Sequence, residues 1–180
     1  DFLNIRRSGI IALALKKGDA LTGVKLAHGS DQVVIVTEKG QSIRFKGAQV
    51  RNMGRTAAGV HAIRLKGGDH VAGFDIIRKE EGGNLLVVMA NGFGKQTSLS
   101  EYKVQNRSGS GVRAVAVTSK TGIVVQSRGV TEESEIFALS QKGQVIRTQL
   151  QSVRKTGRAA QGVRIMNLKP GDKVAAIICV

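Results

Sequence analysis

The sequence predicts an all-β, propeller-like fold, and two observations carry that prediction: an internal period of about 50 residues and short β-branched runs cut by glycine. The segments GIIALALKKGDAL (9–21), GVHAIRLKGGDHV (59–71), GVRAVAVTSKTGIV (111–124) and GVRIMNLKPGDKV (162–174) are variants of one unit. Their lead glycines, Gly9, Gly59, Gly111 and Gly162, stand 50, 52 and 51 residues apart. A second family lies between them in the same phase: VVIVTEKGQSIRF (33–45), LLVVMANGFGKQT (85–97) and IFALSQKGQVIRT (136–148). Its turn glycines, Gly40, Gly92 and Gly143, are spaced by 52 and 51. Two markers sharing one period exclude a chance repeat.

Each period holds short runs of Val, Ile and Leu bounded by Gly, Asp, Asn or Lys-Gly, with no sustained apolar pattern of helical spacing. That reads as about four strands per repeat, the size of one propeller blade. The expected units are the tail of a preceding blade at 1–8, then 9–58, 59–110, 111–161 and a partial blade at 162–180. Since 180 residues cover only about three and a half periods, the expectation is a partial disc, with sheet edges left open. Gly40 and Gly143 are expected to hold positive φ in hairpin turns, where a Cβ is costly.

The chain carries 28 Lys and Arg against 13 Asp and Glu, a formal charge of +15, and a surplus of that size calls for an anionic partner. A hydrophobic content of 41% excludes a disordered basic arm. Cys179, the single cysteine, forms no internal disulfide, and no leader or long apolar run is present, so the expected location is the cytoplasm with no membrane partner.

The basic residues recur in register. Arg55, Arg107 and Arg158 each precede a lead glycine by four residues; His61, Arg113 and Arg164 each follow one by two. Arg44, Gln96 and Arg147 each follow a turn glycine by four, with Lys95 beside the exception. With Arg51, Lys103, Arg154 and Lys155, these cations are read as an exposed stripe around the rim, a shape suited to a long polyanion.

The stretches GRTAAGVHAIRL, NGFGKQTSLSEYKVQNRSGSGVRA and GQVIRTQLQSVRKTGRAAQGVR resemble successive blades of the C-terminal domain of bacterial DNA gyrase A, over essentially the whole chain. The resemblance implies a β-pinwheel that wraps double-stranded DNA around a basic perimeter without reading sequence, in support of negative supercoiling. It implies a non-catalytic part of an ATP-dependent type IIA topoisomerase in the bacterial cytoplasm, at the nucleoid, with gyrase B and the rest of gyrase A as partners. It also implies that the DNA-cleaving tyrosine lies outside this chain, and no cofactor is expected within it. QNRSGSG (105–111) resembles a degenerate copy of the family's Gln-Arg-Arg-Gly-Gly-Lys-Gly box, keeping Gln105, Arg107, Gly109 and Gly111, with Asn106 and Ser110 in place of two basic residues. The intact box is absent.

Two alternatives stand beside this reading: the equivalent C-terminal domain of topoisomerase IV, and a propeller scaffold for an acidic protein. The second is disfavoured by an aromatic content of 3%, which supplies few interface anchors. GFGKQT (92–97) falls short of a phosphate loop because Met89 stands where glycine is required. His28, His61 and His70 show no metal-ligand spacing with Cys179, and Tyr102 is expected to be a packing residue.

Overall fold

The computed structural model describes residues 5–78, 82–131 and 133–180, and among them every regular element longer than one turn is a β-strand. In chain order these are β1 (Gln32–Thr37), β2 (Gln41–Lys46), β3 (Val71–Ile77), β4 (Asn84–Met89), β5 (Phe93–Ser98), β6 (Val112–Arg113), β7 (Val124–Val130), β8 (Glu135–Ser140), β9 (Val145–Gln149), β10 (Val163–Arg164) and β11 (Val174–Cys179). Single 3-10 turns follow the second strand of each hairpin, at Gly47–Gln49, Leu99–Glu101 and Leu150–Ser152.

The second sequence family forms three equivalent hairpins, with Ile35 opposite Ile43, Val87 opposite Lys95 and Ala138 opposite Ile146. Each is closed by the glycine that the repeat singled out: Gly40, Gly92 and Gly143 have φ of +79°, +82° and +84°. The hairpins seed three antiparallel sheets with strand orders β3-β1-β2-β6, β10-β5-β4-β7 and β11-β8-β9. The all-β, propeller-like expectation holds.

The sheets do not follow units counted from the lead glycines. The first hairpin takes β3 from the stretch after the second lead glycine and β6 from the stretch after the third. The second hairpin likewise takes β7 and then β10. Each completed sheet therefore draws on three consecutive units, because the two-residue strand that opens with Gly-Val-Arg reaches back past its neighbour. In β10 and β6 that strand is anchored by its glycine: a Cβ on Gly111 would fall on the Ser42 carbonyl, and one on Gly162 on the Gly94 carbonyl.

Packing explains why β4 is apolar on both faces. Leu85, Val87 and Met89 join Val34, Val36 and Ile77 in a core between the first two sheets, whereas Leu86 and Val88 join Ile136, Ala138 and Ile177 in a core between the second and third. The alternation along β4 is the period of two expected of a strand. Tyr102 lies in the first of these cores, 2% exposed, and is a packing residue; burial pushes its phenol up to about 12.

Aspartates tie successive units together. Asp69 Oδ1 accepts from the Lys39 and His70 amides, and Asp172 Oδ1 accepts from the Lys142 and Lys173 amides, so each holds the tip of the hairpin one unit earlier. Residues 5–28 contain the first copy of the lead-glycine segment, yet form no strand. Leu26, at 97% exposure, shows how little covers them.

Candidate nucleic-acid interface

The three arginines in register do the same thing in the structure. Arg55 Nη1 donates to the Ile11 carbonyl at 2.8 Å, Arg107 Nη1 to the His61 carbonyl at 3.0 Å and Arg158 Nη1 to the Arg113 carbonyl at 3.3 Å. Each acceptor is the residue two places after the preceding lead glycine. The sequence places these guanidiniums on an exposed rim; the structure leaves all three half-buried, as bridges between consecutive units. Arg107 Nε also donates to the Gln49 carbonyl at 3.2 Å, and its backbone amide to Gln49 Oε1 at 2.9 Å. One period on, the Arg158 amide donates to Glu101 Oε2 at 3.2 Å. Gln49 and Glu101 both end a 3-10 turn. Sequence reasoning missed them, the only signal being a polar residue at equivalent places in two hairpin exits.

The residues after the turn glycines divide differently. Arg44 is half-buried on β2, with Nε donating to Gln32 Oε1 at 2.6 Å and Nη1 to the Leu99 carbonyl, and its pKa is lowered by burial. Gln96, its counterpart, donates from Nε2 to the Leu150 and Val153 carbonyls at 2.8 and 2.9 Å. Both therefore hold the 3-10 turn of the next unit, which explains why glutamine can replace arginine there: a donor is needed and a charge is not. Arg147 has no such turn before it among the described residues, and forms a two-pronged ion pair with Glu135 at 2.8 and 2.7 Å.

Lys95 requires a correction. Read as a surface cation, it is fully buried, its ammonium donating to the Gly157 and Arg158 carbonyls at 2.7 Å each. Desolvation lowers its pKa to about 8, with Glu101 opposing and Arg158 adding to the shift. It is the strut under the loop that carries Arg158, and it cannot touch phosphate.

The remaining candidates are exposed: Arg51, Lys103, Arg113, Arg154, Lys155 and Arg164. Arg51, Lys103 and Arg154 each directly follow the residue that caps a 3-10 turn. Arg164 lies over the Phe93 ring at 4.9 Å. The bridges gather these cations at the seams. Arg158 is bonded to Glu101, two residues before Lys103, and to the backbone of Arg113, so the segments that carry Lys103, Arg158 and Arg113 are tied together where two units join. Arg107 does the same for Arg51 and His61. In the box-like loop the Gln105 amide donates to the Arg44 carbonyl, the Gly109 carbonyl accepts from the Arg64 amide, Gly111 holds a φ of +69°, and Ser108 a φ of +68°.

Antiparallel sheets that repeat with the sequence period and exchange short strands define the class: a repeat protein of the β-propeller kind. The sequence profile described as DNA gyrase C-terminal domain, beta-propeller, matches residues 1–28, 31–78, 84–128 and 134–180, and the chain belongs to that family. It is 38% identical to the DNA gyrase A protein of Staphylococcus epidermidis over 98% of this chain and 20% of that protein, and 39% identical to that of Kosmotoga olearia over 99% of this chain and 22% of that protein. The chain thus spans about a fifth of the length of these relatives. A solved DNA gyrase A C-terminal domain superposes with a TM-score of 0.83 at 26% identity, covering 96% of this chain and 58% of that one. A topoisomerase IV C-terminal domain superposes with a TM-score of 0.92 at 21% identity, covering 99% and 56%, and shows the shared fold. Three of the matched segments, 31–78, 84–128 and 134–180, start at the hairpins and contain three strands of their own sheet, and the last two of them each lend one short strand, β6 or β10, to the sheet before.

Proposed function

We propose that this chain is a non-catalytic DNA-wrapping part of a bacterial DNA gyrase A, acting in the cytoplasm at the nucleoid with gyrase B and the remainder of gyrase A. It holds duplex DNA by its phosphates and supports negative supercoiling by the ATP-dependent holoenzyme. The observation that carries this reading is the recurrence of cation-bearing segments at the joins between units: Arg107 is bonded to Gln49, two residues before Arg51, and one period on Arg158 is bonded to Glu101, two residues before Lys103, and to the Arg113 backbone. Equivalent positions on successive units recur along one periphery, which suits a polymer of evenly spaced charge. The carriers are the exposed residues Arg51, Lys103, Arg113, Arg154, Lys155 and Arg164. Contacts of this kind are electrostatic and largely indifferent to sequence.

Titration of duplex DNA at several salt concentrations tests the reading. Each phosphate contact contributes about −0.9 to the slope of log affinity against log salt, so a slope of several units is expected for unrelated sequences. A flat response would exclude the phosphate periphery.

A further inference from the structure

We infer that Arg107 and Arg158 are positioning residues for DNA, acting through the backbone of the preceding unit rather than by offering their own charge to phosphate. The inference rests on the DNA reading above and refines it. Three copies of one contact, at 2.8, 3.0 and 3.3 Å, link Arg55, Arg107 and Arg158 to the carbonyl two residues after a lead glycine. The side chain at that same residue is His61 for Arg107 and Arg113 for Arg158, both exposed, whereas for Arg55 it is the apolar Ile11, so only the latter two copies stand beneath a polar side chain. Fixing the carbonyl fixes the peptide plane from which the exposed side chain springs, while the guanidinium itself is committed to protein acceptors. For Arg107 the commitment is double, since Nε and Nη1 serve Gln49 and His61 on two different segments. A planar fork can span two acceptors in this way, and a lysine, with one point of donation, is a poor substitute.

The geometry also separates the two tiers by neighbouring hydrogen bonds. The Ser108 amide donates to the Ala62 carbonyl at 2.7 Å and the Arg64 amide to the Gly109 carbonyl at 2.8 Å, stitching the box-like loop to the segment whose backbone Arg107 holds. A phosphate-contacting arginine would have no bearing on these amides. A positioning arginine would.

The test compares Arg107→Ala, Arg107→Lys and Arg113→Ala by hydrogen exchange and by DNA titration across salt. For Arg107→Ala we expect faster exchange at the Ser108 and Arg64 amides, and an affinity lowered by roughly two- to tenfold at every salt concentration, with the slope unchanged. Arg107→Lys should exchange as fast as the alanine variant although its charge is kept. Arg113→Ala should keep parental exchange and lose about one unit of slope. Parental exchange in both Arg107 variants, with a unit of slope lost only in the alanine one, would overturn the inference. Should Arg107→Ala fail to fold, Arg158→Ala supplies the same reading through the Ala116 amide, which donates to the Ala160 carbonyl beside that arginine. If the parent binds no DNA, the functional reading fails, and unchanged exchange in the variants would independently refute the structural half.

Discussion

Gly92 and Gly143 occupy the same hairpin turn one period apart, with almost the same backbone, φ +82° and +84°, yet their surroundings are opposite. Against Gly92 lies the Met166 carbonyl, delivered by the segment that donates β10; around the position of a Gly143 Cβ there is open space. The second hairpin belongs to a four-stranded sheet and the third to a three-stranded one. The pair therefore separates two roles of one glycine: tolerating a left-handed turn, and admitting a strand from two units further on. Arg44 and Arg147 repeat the contrast. The first is engaged with the next unit's 3-10 turn, while the second turns to Glu135 on its own hairpin.

The largest expected effect follows from the glycines. Gly143→Ala should cost about 1 kcal/mol, the penalty of a left-handed residue with a Cβ. Gly92→Ala should cost about 3 kcal/mol or more, because displacement of the Met166 backbone adds to the same strain. Denaturant midpoints of the two variants measure the difference. Equal losses would mean that the strand from the later unit contributes little to the sheet it completes.

A smaller difference is expected for the arginines. Arg44→Ala removes a desolvated donor and leaves the Leu99 carbonyl short of a partner, a loss of about 1 to 2 kcal/mol. Arg147→Ala removes a solvent-screened ion pair and should scarcely move the midpoint. Calorimetric melting of both variants in low and high salt sharpens the point, since only the Arg147 pair should respond to salt. If Arg147→Ala proved the more harmful, the division between engaged and idle hairpins would be mistaken.

The repeat, the hairpins and the positive φ of their glycines were legible because each is a local consequence of residue type. Strand exchange was not legible: a period shows that Gly-Val-Arg recurs, but not which hairpin receives it. The arginines were legible in position and misread in role. A residue repeated to grip a carbonyl and one repeated to grip a phosphate leave the same mark in a sequence, since both need a long donor in register. Gln96 was the available clue, because a stripe selected for charge would not accept a neutral residue that a hydrogen-bond site accepts readily. Lys95 offered another: its counterparts in the flanking hairpins are Ile43 and Ile146, so the position is an interior one that happens to hold an amine.

That buried amine gives the comparison its finest test. In the unfolded chain Lys95 titrates near 10.5, and in the folded protein near 8, so between these values the unfolded state binds more protons and stability must rise with pH. Tyr102 acts in the opposite sense higher up: its phenol titrates near 10 when unfolded and about 12 when folded, so stability falls as pH passes 10. The expected contribution of the two is a rise from pH 8 that turns over near 10, with a slope for the lysine of about 1 kcal/mol per pH unit at most. Lys95→Met should remove the rise and keep the fall, and the difference between the two stability curves isolates the amine. Because the Arg158 carbonyl then loses the Lys95 ammonium and the Gly157 carbonyl keeps only the Ala160 amide, the variant should also loosen the loop that carries Arg158, and DNA affinity should fall at constant salt slope. A parent curve without any rise between pH 8 and 10 would show that Lys95 keeps its proton in the folded state, and that the strut beneath the second seam is a charged one.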